Sequence, residues 1–289
     1  MERPEKKKMP IWKLLSYILI GIVFLSMIII FVVFPDEWSV KNTIENIGNH
    51  IVVIGALISF VHIKTRAENF KDNTKMYRYF SLMVLFFIPI SIFGIFQIVN
   101  MVLSLSGDKS FYQIMNEAVP SLKFNIFGNP AWRTTMPFDS IVMFSILLVS
   151  ILAFLYPIET YVKENKRPFH SISILACLMS LLLLGLRDNF EIELIASILT
   201  VTVVLIVLIN FFYLFWTYFS VAIKSPSTMR KGGLLIAVGL ILIIMVWASS
   251  WIVGLLFEQD YLRALVPYSI AVLSIISLNY GFYILKPIS

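Results

Sequence analysis

Charge is what this sequence has least of. Only 14% of its 289 residues are Asp, Glu, Lys or Arg, while 59% are hydrophobic. An ordinary soluble domain carries about 25% charged residues. A globule of this size with so few charges could not cover its surface with polar groups, which excludes one large soluble domain. Cysteine is nearly missing too: the chain has one, Cys177, inside an apolar run. No disulfide can close within the chain, so cysteine usage leaves the redox compartment open. Cys177 reads as a small buried apolar residue. The three histidines, His50, His62 and His170, are scattered, so neither a zinc site nor a metal centre of another kind is visible. No nucleophile stands in a motif with a base partner. These absences predict no catalytic residues, no metal and no cofactor.

What the sequence has is hydrophobic length. About 20 apolar residues cross a hydrocarbon core at ~1.5 Å each. Eight runs qualify: 12–34, 44–63, 80–105, 139–157, 170–186, 192–218, 233–257 and 262–285. Backbone groups in lipid must be satisfied within the segment, and no alternating strands suit a barrel, so the runs are expected as helices. The fold class predicted is all-α, a polytopic transmembrane bundle of eight spans forming a single domain over 1–289. "MERPEKKKMPIWK" resembles the charged start of a signal peptide, but "VVFPDEW" lacks a small-x-small cleavage site. The first run is therefore expected to be retained as a span.

Basic residues set the threading. With eight spans and both the N- and C-termini cytosolic, 17 of the 23 Lys and Arg fall inside. Removing the second span while keeping the N-terminus inside would leave 10 inside and 13 outside. Eleven of the 17 acids take the opposite face. The net charge of +6 thus averages a basic inner and an acidic outer surface. The basic loops suit anionic cytoplasmic lipid, worth about 1 kcal/mol per near-surface Lys or Arg, and call for no nucleic acid. Trp12, Tyr17, Tyr77, Tyr79, Tyr156, Tyr161, Trp216 and Tyr218 mark inner span ends, and Trp38, Trp132 and Tyr261 outer ones. Aromatic rings with a polar tip favour that depth. Localisation in the cell membrane, multi-pass, follows.

Most connections are short, and "LRDNFE" and "FEQDYLR" are tight outer turns. The exception is the outer loop 106–138. Within it Phe111, Ile114, Met115, Ala118 and Val119 recur at helical spacing, predicting a short amphipathic helix ended by Pro120. It is expected as a lid or as a passive interfacial helix.

Polar residues inside the spans are confined to stripes. Glu45, Asn46, Asn49 and His50, with Asn42, fall within an arc of about 140° at the outer end of the second span. Gln97, Asn100 and Ser104 share a face of the third span. Glu193, Ser197 and Thr200 share one of the sixth, and Trp247, Ser250, Trp251, Gly254 and Glu258 one of the seventh. All four stripes fall at the outer end. Residues so confined face other protein or water. They point to an outward-facing polar pocket, with Glu45, Asn46, Asn49, His50, Gln97, Asn100, Glu193, Trp247 and Trp251 as candidate ligand-binding residues. The alternative is that they satisfy one another as interhelical ties, each worth about 0.6 kcal/mol.

No Asp, Glu, Lys or Arg falls in the middle of a span. That excludes a retinal Schiff base and counts against a proton-driven carrier. Asn210 and Asn279 are the deepest amides, placed to bond one another or a ligand.

"YFSVAIKSPSTMRKGGLLIAVGLIL" (Tyr218–Leu242) resembles the helix junction in the seven-helix membrane input modules of archaeal and bacterial sensor histidine kinases. Tyr218, Lys224, Arg230, Lys231 and Gly239 carry the likeness, which covers about 25 residues. The chain departs from those modules in its eight expected spans, and no kinase domain follows them. The resemblance implies a sensor-like module with a separately encoded protein partner. That is the first functional expectation. A transporter or channel for a small polar solute or cation is the alternative, and a membrane enzyme is the third.

Overall fold

The computed structural model describes residues 9–109, 122–125, 133–136, 152, 155–162, 168–186, 193–256 and 259–284. Helices dominate, and six are long and apolar enough to cross a membrane: Ile11–Val33, Val40–Asn69, Tyr77–Leu105, Val201–Lys224, Met229–Val246 and Tyr261–Ile284. They coincide with the first, second, third, sixth, seventh and eighth runs above. Most of the fourth, 139–157, lies outside the described residues. The fifth falls in the helix Pro168–Leu186.

In chain order the helices are α1 (Ile11–Val33), α2 (Val40–Asn69), α3 (Thr74–Met83), α4 (Phe87–Leu105), α5 (Pro168–Leu186), α6 (Glu193–Lys224), α7 (Ser227–Leu256) and α8 (Asp260–Ile284). The third run is not one uninterrupted helix. A 3-10 turn at Val84–Phe86 separates α3 from α4. Pro89 stands just beyond it. Its ring crowds the preceding turn and it has no N–H to donate, so the chain tightens there. The loop 106–138 contains a short antiparallel ribbon, Leu122–Asn125 paired with Arg133–Met136. Its first strand packs on α6. The helix expected at 110–119 lies outside the described residues.

α2 is the hub. It touches α1, α3, α4 and α8, and its apolar window is the most buried of the six at 56%. α8 joins it to α7, which packs on α6, which packs on α5. α1 by contrast buries only Ser16, Val23 and Ile30. That spacing of seven gives one narrow seam against α2, and the rest of its surface is apolar and exposed. Exposed leucine and isoleucine on this scale is stable only where lipid takes the place of water.

Two apolar clusters fill the interior. One lies between α1, α2 and α4, around Val23, Val53, Leu57, Ile98 and Met101. The larger gathers Met83, Phe86, Phe87, Ile158, Leu214 and Leu240. At the junction of α6 and α7, the Arg230 guanidinium donates to the Ile223 carbonyl at 3.2 Å. A cation there neutralises the unsatisfied carbonyls at the C-terminus of α6.

Candidate functional site

The polar arc of α2 opens just after Ser39, whose hydroxyl accepts from Asn42 N at 3.1 Å and caps the helix. A serine there satisfies a first-turn amide. The arc then divides between two neighbours. One flank faces α1. His50 Nε2 lies 3.0 Å from Ser26 Oγ, and His50 Nδ1 lies 2.7 Å from the Asn46 carbonyl. Asn46 Nδ2 donates to the Met27 carbonyl at 3.3 Å. The other flank faces α8, where the Tyr268 hydroxyl donates to Asn49 Oδ1 at 3.0 Å. Asn46 and His50 are wholly buried and Asn49 nearly so. Glu45 is half-buried, 3.9 Å from Lys41, and within electrostatic reach of Tyr268.

Gly48 makes the α8 contact: a Cβ built there would overlap the Tyr268 ring. A glycine lets a helix backbone approach a bulky neighbour. The arc predicted from spacing is therefore real, and its amides and imidazole are engaged in interhelical ties. Buried polar groups need partners; α1 and α8 supply most of them, while Asn46 Oδ1 is buried with none.

The other predicted residues sit as follows. Gln97 is half-buried and Asn100 buried, both on α4. Glu193 opens α6, and Trp247 and Trp251 lie on α7. The side chains of these three lie outside the described residues. Asn210 and Asn279 do not pair. Asn210 Nδ2 bonds Ser173 Oγ of α5, while Asn279 Nδ2 donates to the Gly55 carbonyl at 3.0 Å. Of the two expectations for these amides, a bond to one another is not what the structure shows.

Sequence spacing missed a second polar cluster, at the far end of the bundle. Glu159 lies in the π-helical turn Ile158–Val162 and is completely buried. Its two oxygens accept from Phe169 N at 3.1 Å and His170 N at 3.0 Å. These are the second and third amides of α5, the pair an N-cap side chain normally satisfies. Pro168 begins α5 and lacks an N–H. The carboxylate thus caps a helix ten residues downstream and meets its positive end. The signal in the sequence was an acid shortly before a proline-initiated helix, in a stretch that reads as interfacial anchoring. Beside it Phe169 stacks on Tyr213, with centroids 4.0 Å apart, and Tyr79 and Tyr218 share a 2.6 Å hydroxyl–hydroxyl bond.

Among the described residues, no three His, Cys, Asp or Glu side chains converge on a point that could hold a metal. No family model, curated protein or solved structure matches the chain.

Proposed function

We propose that this chain is an eight-span protein of the cell membrane with both termini in the cytosol. It works there as a receptor-like or accessory sensory module for a separately encoded partner. One observation carries the threading: residues assigned to the same face by charge meet one another. Trp12 bonds Glu68 at 2.9 Å, Tyr79 bonds Tyr218, Glu159 caps α5, and His62 lies 6.0 Å from Tyr283, all at the basic end. Ser26 with His50, and Asn49 with Tyr268, meet at the acidic end. α2 and α8 consequently run parallel, as two spans with an odd number of others between them must, and five lie between these two.

The receptor-like reading rests on α2, a continuous helix of 30 residues. It connects the polar ties at the acidic end to the basic segment 64–78. The resemblance of Tyr218–Leu242 to sensor input modules favours the same reading. A transporter or channel would need one polar path through the bundle. The two polar clusters described here stand apart, one between α1, α2 and α8 and the other between 158–162, α5 and α6.

The test is made on the full chain in a Cys177→Ser background. In intact cells Lys41→Cys should react with an impermeant maleimide and Lys71→Cys should not; the reverse pattern refutes the threading. In liposomes, uptake of small neutral solutes and monovalent cations should stay at the protein-free level. Uptake that rises with protein content would replace the receptor reading with a transporter.

A further inference from the structure

α2 and α8 enclose between them an open groove of about 430 Å³. Ile51, Ile54 and Ile58 form one wall, Val272 and Ile276 the other. The walls are apolar throughout, and polar groups appear only at one end. There His62 stands beside Asn279, with Tyr280 and Tyr283 flanking the opening. From Ile51 to His62 the groove runs about 16 Å along the helix. One leaflet of a ~30 Å hydrocarbon core has about that depth.

The polar end is also cationic. Lys13 lies within electrostatic reach of His62. Trp12, the residue before Lys13, packs on the other face of α2 against Phe60, Lys64 and Glu68, which anchors the start of α1 to α2. Tyr280 and Tyr283 are 55% and 64% exposed and stacked, with centroids 6.5 Å apart. Exposed tyrosines mark headgroup depth. A slot of one leaflet's depth, apolar along its length and positive at its mouth, matches an amphiphile with a negative head. A second copy fits poorly, because a two-fold axis along this groove would set Lys13 against its own image.

We propose that the α2–α8 groove holds one acyl chain of an anionic phospholipid, with its phosphate at Lys13, at the His62 end. This goes beyond general attraction of basic loops to the membrane surface, because it assigns one lipid to one slot. It does not depend on the receptor-like reading.

The full chain is purified in detergent, supplied with phosphatidylglycerol or phosphatidylcholine, and examined by native mass spectrometry. One phosphatidylglycerol should persist per chain under conditions that strip phosphatidylcholine. Lys13→Gln should weaken phosphatidylglycerol retention about fivefold and leave phosphatidylcholine unchanged. Ile276→Trp, at a position 56% exposed in the groove, should displace the lipid. Ile92→Trp, at a position 60% exposed on α4, should not. Equal retention of the two lipids, an unaltered adduct in Lys13→Gln, or equal effects of the two tryptophans would overturn the proposal. A dimer that Ile276→Trp dissociates would assign the groove to a second copy instead. Lys13→Gln decides the matter alone if Ile276→Trp fails to fold.

Discussion

Replacing Glu159 removes the side chain that caps the start of α5. The side chain is completely buried, and each of its oxygens holds one first-turn amide of α5. In Glu159→Ala both amides lose their acceptor where water has no ready access. A buried donor left without a partner costs about 1–3 kcal/mol, so two give a loss of roughly 2–6 kcal/mol. Glu159→Gln keeps one carbonyl oxygen but loses the negative charge at the positive end of the helix. A loss of about 1–2 kcal/mol is expected from it, in the range of ordinary cap substitutions. The global measurement is detergent-titrated unfolding of the purified chain. The local one is hydrogen exchange at the Phe169 and His170 amides. Both should worsen in the order wild type, Gln, Ala. If Glu159→Ala stays within about 0.5 kcal/mol of wild type, with no faster exchange at those amides, the carboxylate is not the cap and the reasoning fails.

Three other substitutions probe the ties around α2. Gly48→Val drives two methyl groups into the Tyr268 ring; overpacking of this kind costs about 1–3 kcal/mol, and Tyr268→Ala in the same chain should recover part of it in unfolding experiments. Ser26→Ala and His50→Ala should be coupled by about 0.6 kcal/mol in a double-mutant cycle, the usual worth of an interhelical bond in a membrane; strict additivity would remove the tie. Trp12→Phe keeps the edge-on contact with Phe60 but loses the bond to Glu68, and should destabilise by about 1 kcal/mol or less. A trypsin assay on inverted vesicles should then show faster cleavage after Lys71, because the basic end of α1 no longer pins α2.

Much of the fold was legible because hydrophobic length is a property of each segment alone. The runs containing α1, α2, α4, α6, α7 and α8 announce themselves without reference to any partner. The break of the third run at Val84–Phe86 was not anticipated, although Pro89 stands just beyond it in the sequence. The polar arc of α2 was legible as well, since 100° steps place Glu45, Asn46, Asn49 and His50 together. Which neighbours would receive them was not. Asn46 and His50 turned to Ser26 and Met27, Asn49 to Tyr268, and no periodicity encodes a bond to a backbone carbonyl. Glu159 was missed for the same reason, as its partners are two main-chain amides and carry no residue signature.

Lipid is a nearly uniform solvent, so it acts on one segment at a time: on its length, its charged flanks and the placement of its polar atoms. Those one-body quantities are written in the order of residues, and they settled that this is a helical, membrane-suited chain. Pairing is a two-body matter. Gly48 and Gly55 let α8 come close enough to α2 to close one polar flank and to leave a groove beside it. Whether a buried amide meets a hydroxyl, a carbonyl or a ligand depends on how far each helix rotates when the small residues let it in, and that was decided only by packing.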